Sequence, residues 1–351
     1  MRWRVLAAAL LGAAVAPPTQ AQVDPNSGID FVTIGSAGNA PWAGAGLPQD
    51  RAVGRGAVDY EYRIGRYEVT SAQWVEFYNA VYARPASENL PHIGLPTFWG
   101  GIQTTPPPGS SRAFRTIPDT AMLPAGGITW RTAAMYCNWL HNGKSTAREA
   151  FLSGAYDVST FGYGPNGFTD QFARSPGAQY FIPSWDEWIK AAYYDPNKPN
   201  PDGTLGNYWI YNNASDLANI PGPPPSLGGP GTANFGWNFS SEFPFDPTGI
   251  PLGAYATTSP WGLFDTGGAT SEWTEEVFAP DSLARYRVLE GSRWITSTNE
   301  FIADRIGVIS ADFPSVPSFD FGFRIATIVP APKVGWPLFV VSVWVGQRRR
   351  R

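Results

Sequence analysis

The chain has one cysteine, Cys137, in 351 residues, so no intrachain disulfide can form. At this length a hydrophobic core is large enough to do without one. Histidine is as scarce: His92 and His141 are the only two. Together with a single thiol they supply too few soft ligands for a zinc site or a histidine-bound iron, so any metal must be held by oxygen. Charge is thin as well, with 15% charged residues, a net charge of −4 and no central basic stripe. That balance gives no electrostatic footprint for a nucleic-acid backbone, and nucleic acid is not an expected partner. What the chain has instead is 38 Gly, 34 Pro and 15 Trp within an aromatic content of 15%. This is the composition of a loop-rich globular protein, neither a helical bundle nor a disordered chain. The length accommodates one large domain or two ordinary ones.

The two ends read as addresses. Residues 1–21 begin with Arg2 and Arg4, run through an apolar Val5–Ala16 and reach Thr19-Gln20-Ala21, the pattern of a secretory signal peptide. At the other end, Val329-Pro330-Ala331-Pro332 precedes an apolar Val334–Gly346 and the basic cluster Arg348–Arg351. The apolar run falls short of the roughly 20 residues a spanning helix needs and contains Pro337, so transient membrane contact is expected from it, not a stable span. Residues 22–58 form a Gly/Pro-rich N-terminal extension with a first strand at Phe31–Ile34, residues 59–328 the main domain, and residues 329–351 the tail.

The most informative stretch is Trp261–Trp273, WGLFDTGGATSEW. Asp265 and Glu272 lie seven residues apart across Gly267-Gly268, where glycine lets the backbone fold back tightly. Two readings follow: a tight turn between aromatic segments with both acids solvated, or an all-oxygen cage of the kind calcium takes. Around this stretch the pattern alternates strand and helix. Tyr60–Val69 alternates as a strand, and Thr70 with Gln73 forms a capping box for a helix burying Trp74, Phe77, Tyr78 and Val81. Glu68 and Thr70 read as a strand-end acid and an N-cap. Ala83–Gly127 reads as a surface excursion. Thr129 caps a second helix through His141, with Gly143 just beyond and Cys137 as a buried, inert thiol on its apolar face. After a short strand at Tyr180, Ser184 and Glu187 form another capping box, where Asp186 and Glu187 favour the helix dipole. Arg287–Trp294 and Phe319–Ala326 read as closing strands.

In this order the segments YRIGRYEVTSAQW, ITWRTAAMYCNWL, YFIPSWDEWIKAA, GLFDTGGATSEW and FGFRIA resemble the formylglycine-generating enzyme family, the sulfatase-modifying factor domain, from about Tyr60 to Ala326. The resemblance implies an α+β, C-type-lectin-like fold with little regular structure, a small twisted sheet, a few helices and calcium-buttressed loops. It places a calcium site at Asp265, the carbonyls of Gly268 and Thr270, and Glu272. A second candidate site falls at Asn234, the carbonyl of Phe235 and Asp246. The family's Gly-Asn pair is Gly268-Ala269 here and its following aromatic is Ser271. Active members follow a Gly-Gly-Ser strand with two cysteines that work with copper and oxygen. Here that strand is Glu290-Gly291-Ser292-Arg293-Trp294, and neither cysteine stands in Ile295–Phe301. Thiolate-bound copper therefore lacks its ligands, and no residue is assigned a catalytic role. The related iron enzymes need three histidines, which excludes that branch.

The expectation is an exported, non-catalytic binding protein, stabilised by calcium, that recognises a protein, peptide or glycan through a groove at Ser292, Arg293 and Trp294. Arg305 and Arg324 read as groove residues or as core-edge salt-bridge partners. The alternatives are an enzyme of altered chemistry using Ser292, Glu290 or Glu300, a structural envelope component, and a ligand binder with a diversified loop after Trp294. The tail resembles a PEP-CTERM sorting signal, with Ala331 in place of the usual Glu. This resemblance implies processing by an exosortase and a destination in the cell envelope or medium of a Gram-negative bacterium.

Overall fold

A computed structural model of the chain describes residues 22–236, 247–279, 285–297 and 302–329. Residues 1–21, expected to be a signal peptide, the residues beyond Val329, Asp246 and Glu300 lie outside the described residues.

Three helices begin at the side chains that can satisfy their first free amides. Thr70 accepts from the Gln73 amide while the Gln73 side chain accepts from the Thr70 amide at 2.9 Å, opening the helix Ser71–Val81. Thr129 accepts from the Thr132 amide at 3.0 Å ahead of Trp130–His141. Ser184 and Glu187 cap each other ahead of Trp185–Tyr193. The first two helices pack through the expected stripes: the Trp74 ring lies 4.9 Å from Tyr136 and 5.7 Å from Phe323, centroid to centroid. Cys137 is buried in the same core.

Two sheets frame this core. One has the order Gln22–Val23, Asp30–Ile34, Tyr62–Gly65, Ala326–Ile328 and Tyr180–Phe181, with antiparallel neighbours throughout. The expected first strand is present as Asp30–Ile34 and pairs with Tyr62–Gly65 in this sheet. The other sheet has the order Ser310–Asp312, Tyr286–Glu290, Ser271–Phe278 and Phe321–Gly322, the last pair parallel.

Some expected boundaries shift. The stretch after the double glycine, read as a turn, opens the eight-residue strand Ser271–Phe278, where Trp273 is fully buried. Phe319–Ala326, read as one strand, is divided: Phe321–Gly322 joins one sheet and Ala326–Ile328 the other. Phe323, Arg324 and Ile325 cross between them, all buried. The excursion over Ala83–Gly127 contains a hairpin, Gly101–Thr104 paired with Ala113–Thr116. Among the described residues no helix is long and apolar enough to cross a membrane.

Candidate functional site

The turn before Ser271 is set by backbone geometry. Asp265 and Ala269 adopt left-handed φ values of 53° and 58°, and Gly268 has φ 89°. A Cβ on Gly268 would stand 2.4 Å from the Asn234 nitrogen, so only glycine lets the two backbones meet. They do meet: the Ala269 amide donates to the Asn234 carbonyl at 2.9 Å.

Glu272 lies in the first part of the strand Ser271–Phe278, buried on both faces, and meets Arg324 there. The guanidinium donates through Nε and Nη2, each at 2.5 Å, and Trp188 Nε1 adds a third bond at 2.8 Å. Arg324 also donates to the carbonyls of Gly65 at 3.0 Å and Phe264 at 3.1 Å, so it ties both sheets to the turn. The Thr270 hydroxyl donates to Glu68, whose carboxyl burial, and then the nearby Glu272, push well above the usual range. Glu68 thus braces the turn through Thr270, a role its position at a strand end did not announce. Of the residues expected to hold calcium, Glu272 is engaged by three donors, and the positive charge it faces in the structure is Arg324. At the second candidate site, the Asn234 side chain donates to the Pro247 carbonyl at 2.9 Å and the Phe235 carbonyl accepts from Gly222 at 3.1 Å.

Glu290 lies directly across the ladder from Glu272. Two ionised carboxylates so placed in a buried layer would repel strongly. Burial pushes Glu290 up to about 8, against the opposing effect of the Trp185 indole that bonds it, and it is neutral at pH 7. Helix Trp185–Tyr193 thus sets Trp185 and Trp188 as indole donors over the cross-strand pair.

Beyond this layer opens a cleft of about 260 Å³, lined among others by Gln49, Ser271, Arg293, Thr296, Ile302 and Val308. Of the three expected groove residues only Arg293 lines it. Its Nε lies 3.1 Å from Asp320, and its side chain remains 31% exposed. Ser292 is buried with its amide bonded to Asp304 at 2.7 Å, and Trp294 is fully buried against Phe98. Arg305 donates to the Pro48 carbonyl and so fixes the segment that brings Gln49 to the cleft. Nothing local in the sequence marks Gln49, because its place depends on a contact with a residue more than 250 positions away. Arg324 is a salt-bridge partner in the core. Cys137 sits in its helix, its thiol pushed well up by burial, and neither it nor either histidine lines the cleft.

Residues 31–329 match the family model described as the sulfatase-modifying factor enzyme 1-like domain. The chain belongs to this family. The match starts some thirty residues before Tyr60, consistent with strand Asp30–Ile34 lying inside the main sheet. Among solved structures, the family member is similar to CarF, with a TM-score of 0.51 and 17% identity over 86% of this chain and 99% of that one. It is similar to Treponema denticola variable protein 1, with a TM-score of 0.51 and 18% identity over 89% of this chain and 100% of that one. At these identities the likeness shows the fold alone. No curated protein sequence matches the chain.

Proposed function

We propose that this member of the family is an exported binding protein that recognises a protein, peptide or glycan through the Arg293 cleft. The observation that carries the reading is the chemistry of the cleft wall. Arg293 offers guanidinium donors, Ser271 and Thr296 offer hydroxyls, and Ile302 and Val308 offer apolar surface. Such a mixture of a few placed polar groups on apolar walls suits recognition. Nucleophilic work would need a thiolate or a serine beside a base. The single thiol is buried elsewhere, and Ser292 is buried and does not line the cleft. Export and tail processing belong to the same proposal and rest on Met1–Ala21 and on the order of residues 329–351.

The test is to probe the purified full-length chain against peptide and glycan arrays and to repeat the strongest interaction with Arg293→Gln. Binding that weakens in the variant while its melting temperature holds supports the reading. Conversion of a cysteine-containing sulfatase peptide to formylglycine by the wild type would overturn it in favour of an oxidase.

A further inference from the structure

The five-stranded sheet carries a cavity of its own. Its register sets Arg63, Thr327 and Tyr180 side by side across three strands. Their neighbours Ile64, Ala326 and Phe181 alternate with them and fill the core, so this row lies on the opposite face of the sheet. Asp24, Asn26 and Gln179 surround the row and leave a cavity of about 250 Å³, with Ile328 at its edge. It shares no lining residue with the Arg293 cleft.

The polar groups here are held in place but not used up. The Arg63 guanidinium lies 5.4 Å from the centroid of the Phe31 ring and donates to no described residue, and its Nε is buried without an acceptor. Asp24 accepts from the Ser27 amide at 3.0 Å, the Ser27 hydroxyl at 2.7 Å and the Tyr180 hydroxyl at 2.6 Å, all through Oδ2. Its Oδ1 is left without a donor among the described residues. Burial opposes the charge on Asp24, but the bonds from Tyr180 and Ser27 outweigh it and keep this group a carboxylate at neutral pH. Gln179 is fixed through its backbone amide, which donates to His141 Nδ1 at 3.1 Å. Its side-chain amide and that of Asn26 bond to no described residue and line the cavity.

Unmatched donors on Arg63 and an unmatched acceptor on Asp24 thus face one space, and leaving both unmet is costly. Their charges cancel, so a simple ion of either sign meets one like charge for every opposite one. A neutral guest whose groups donate and accept at once satisfies both sides, as hydroxyls do. Arg63, Asp24, Asn26 and Gln179 each end in a planar fork of two polar atoms, which suits a pair of adjacent hydroxyls, and Ile328 gives apolar surface for ring hydrogens. The volume, just under the ~300 Å³ at which small-molecule pockets usually begin, admits one sugar ring. We propose that this cavity binds a neutral saccharide unit, with Arg63 donating to its hydroxyls and Asp24 accepting from them. The proposal is independent of what the Arg293 cleft recognises.

The experiment is saturation-transfer NMR on the purified full-length chain with glucose, galactose, mannose and N-acetylglucosamine as separate probes. Alanine serves as the zwitterionic control and sodium acetate as the anionic one. The expected result is transfer to at least one sugar, with affinity lowered about ten-fold or more in Arg63→Gln, the loss of one charge-assisted bond. Asn26 is exposed, so Asn26→Ala keeps the fold and should weaken the same sugar; it decides the case if Arg63→Gln lowers the melting temperature. Arg293→Gln should leave the sugar affinity unchanged. A response from none of the four sugars, or from alanine or acetate alone, overturns the proposal. So does sugar binding that survives both Arg63→Gln and Asn26→Ala, or that is lost in Arg293→Gln instead, since it then belongs to the other cleft.

Discussion

Glu290→Gln should stabilise the protein increasingly as pH rises, because the wild-type residue keeps a proton in the folded state that the unfolded chain gives up. The ordinary value for this carboxyl is 4.5, and burial raises it to about 8 in the fold. Between those values the folded state binds more protons than the unfolded one, so stability falls as pH rises, by about 1.4 kcal/mol per unit. Below the lower value both states are protonated and the penalty vanishes. Above the upper value both are ionised and it levels off. From pH 5 to pH 7.5 the wild type should therefore lose about 3 kcal/mol relative to a variant that does not titrate at this position. Glutamine keeps the oxygen that accepts from the Trp185 indole and, like the protonated carboxyl, sets no charge opposite Glu272. Its amide hydrogens lack a partner where Glu290 Oε2 already has none, which adds an offset that does not depend on pH. The assay is urea unfolding of both proteins across that range, read as the difference between them, so that titrations shared by both cancel. Parallel stability curves would refute the assignment of a buried, protonated Glu290.

Arg324→Met leaves Glu272 buried without its counter-charge and should cost about 3–5 kcal/mol in urea unfolding. Adding Glu272→Gln should recover part of that loss by removing the stranded charge. Gly268→Ala sets a Cβ against the Asn234 backbone and should lower the melting temperature far more than Gly109→Ala, which has the same kind of φ but open space around it. Equal effects of the two would mean that the close approach at Asn234 does not matter. Cys137 should react with a thiol reagent only as fast as the protein unfolds, since burial keeps the thiol protonated and out of reach. Rapid labelling of the native protein would contradict that placement.

Local chemistry in the sequence was enough to place the helices. Thr70 with Gln73, Thr129, and Ser184 with Glu187 each satisfy amides within three residues, so their effect is readable without knowing what lies across the core. The resemblance of five ordered segments likewise carried the family, because those segments are the caps, the turn and the segment that crosses between the two sheets. The Asp265–Glu272 turn was visible for the same reason, through its glycines. Its electrostatics were not. Whether Glu272 meets a metal or a guanidinium depends on Arg324, 52 positions away, and on a segment that leaves one sheet to join the other. The upward shift at Glu68 and the protonation of Glu290 depend on burial and on neighbouring carboxylates that no local pattern encodes. The cleft shows the same division: the sequence named Ser292, Arg293 and Trp294 together, and the strand's end and the following turn left Arg293 at the surface while burying the other two. Local hydrogen bonding and backbone freedom are short-range and were written in the chain; charge, access and the pairing of distant acceptors are long-range, and only the packed tertiary structure decided them.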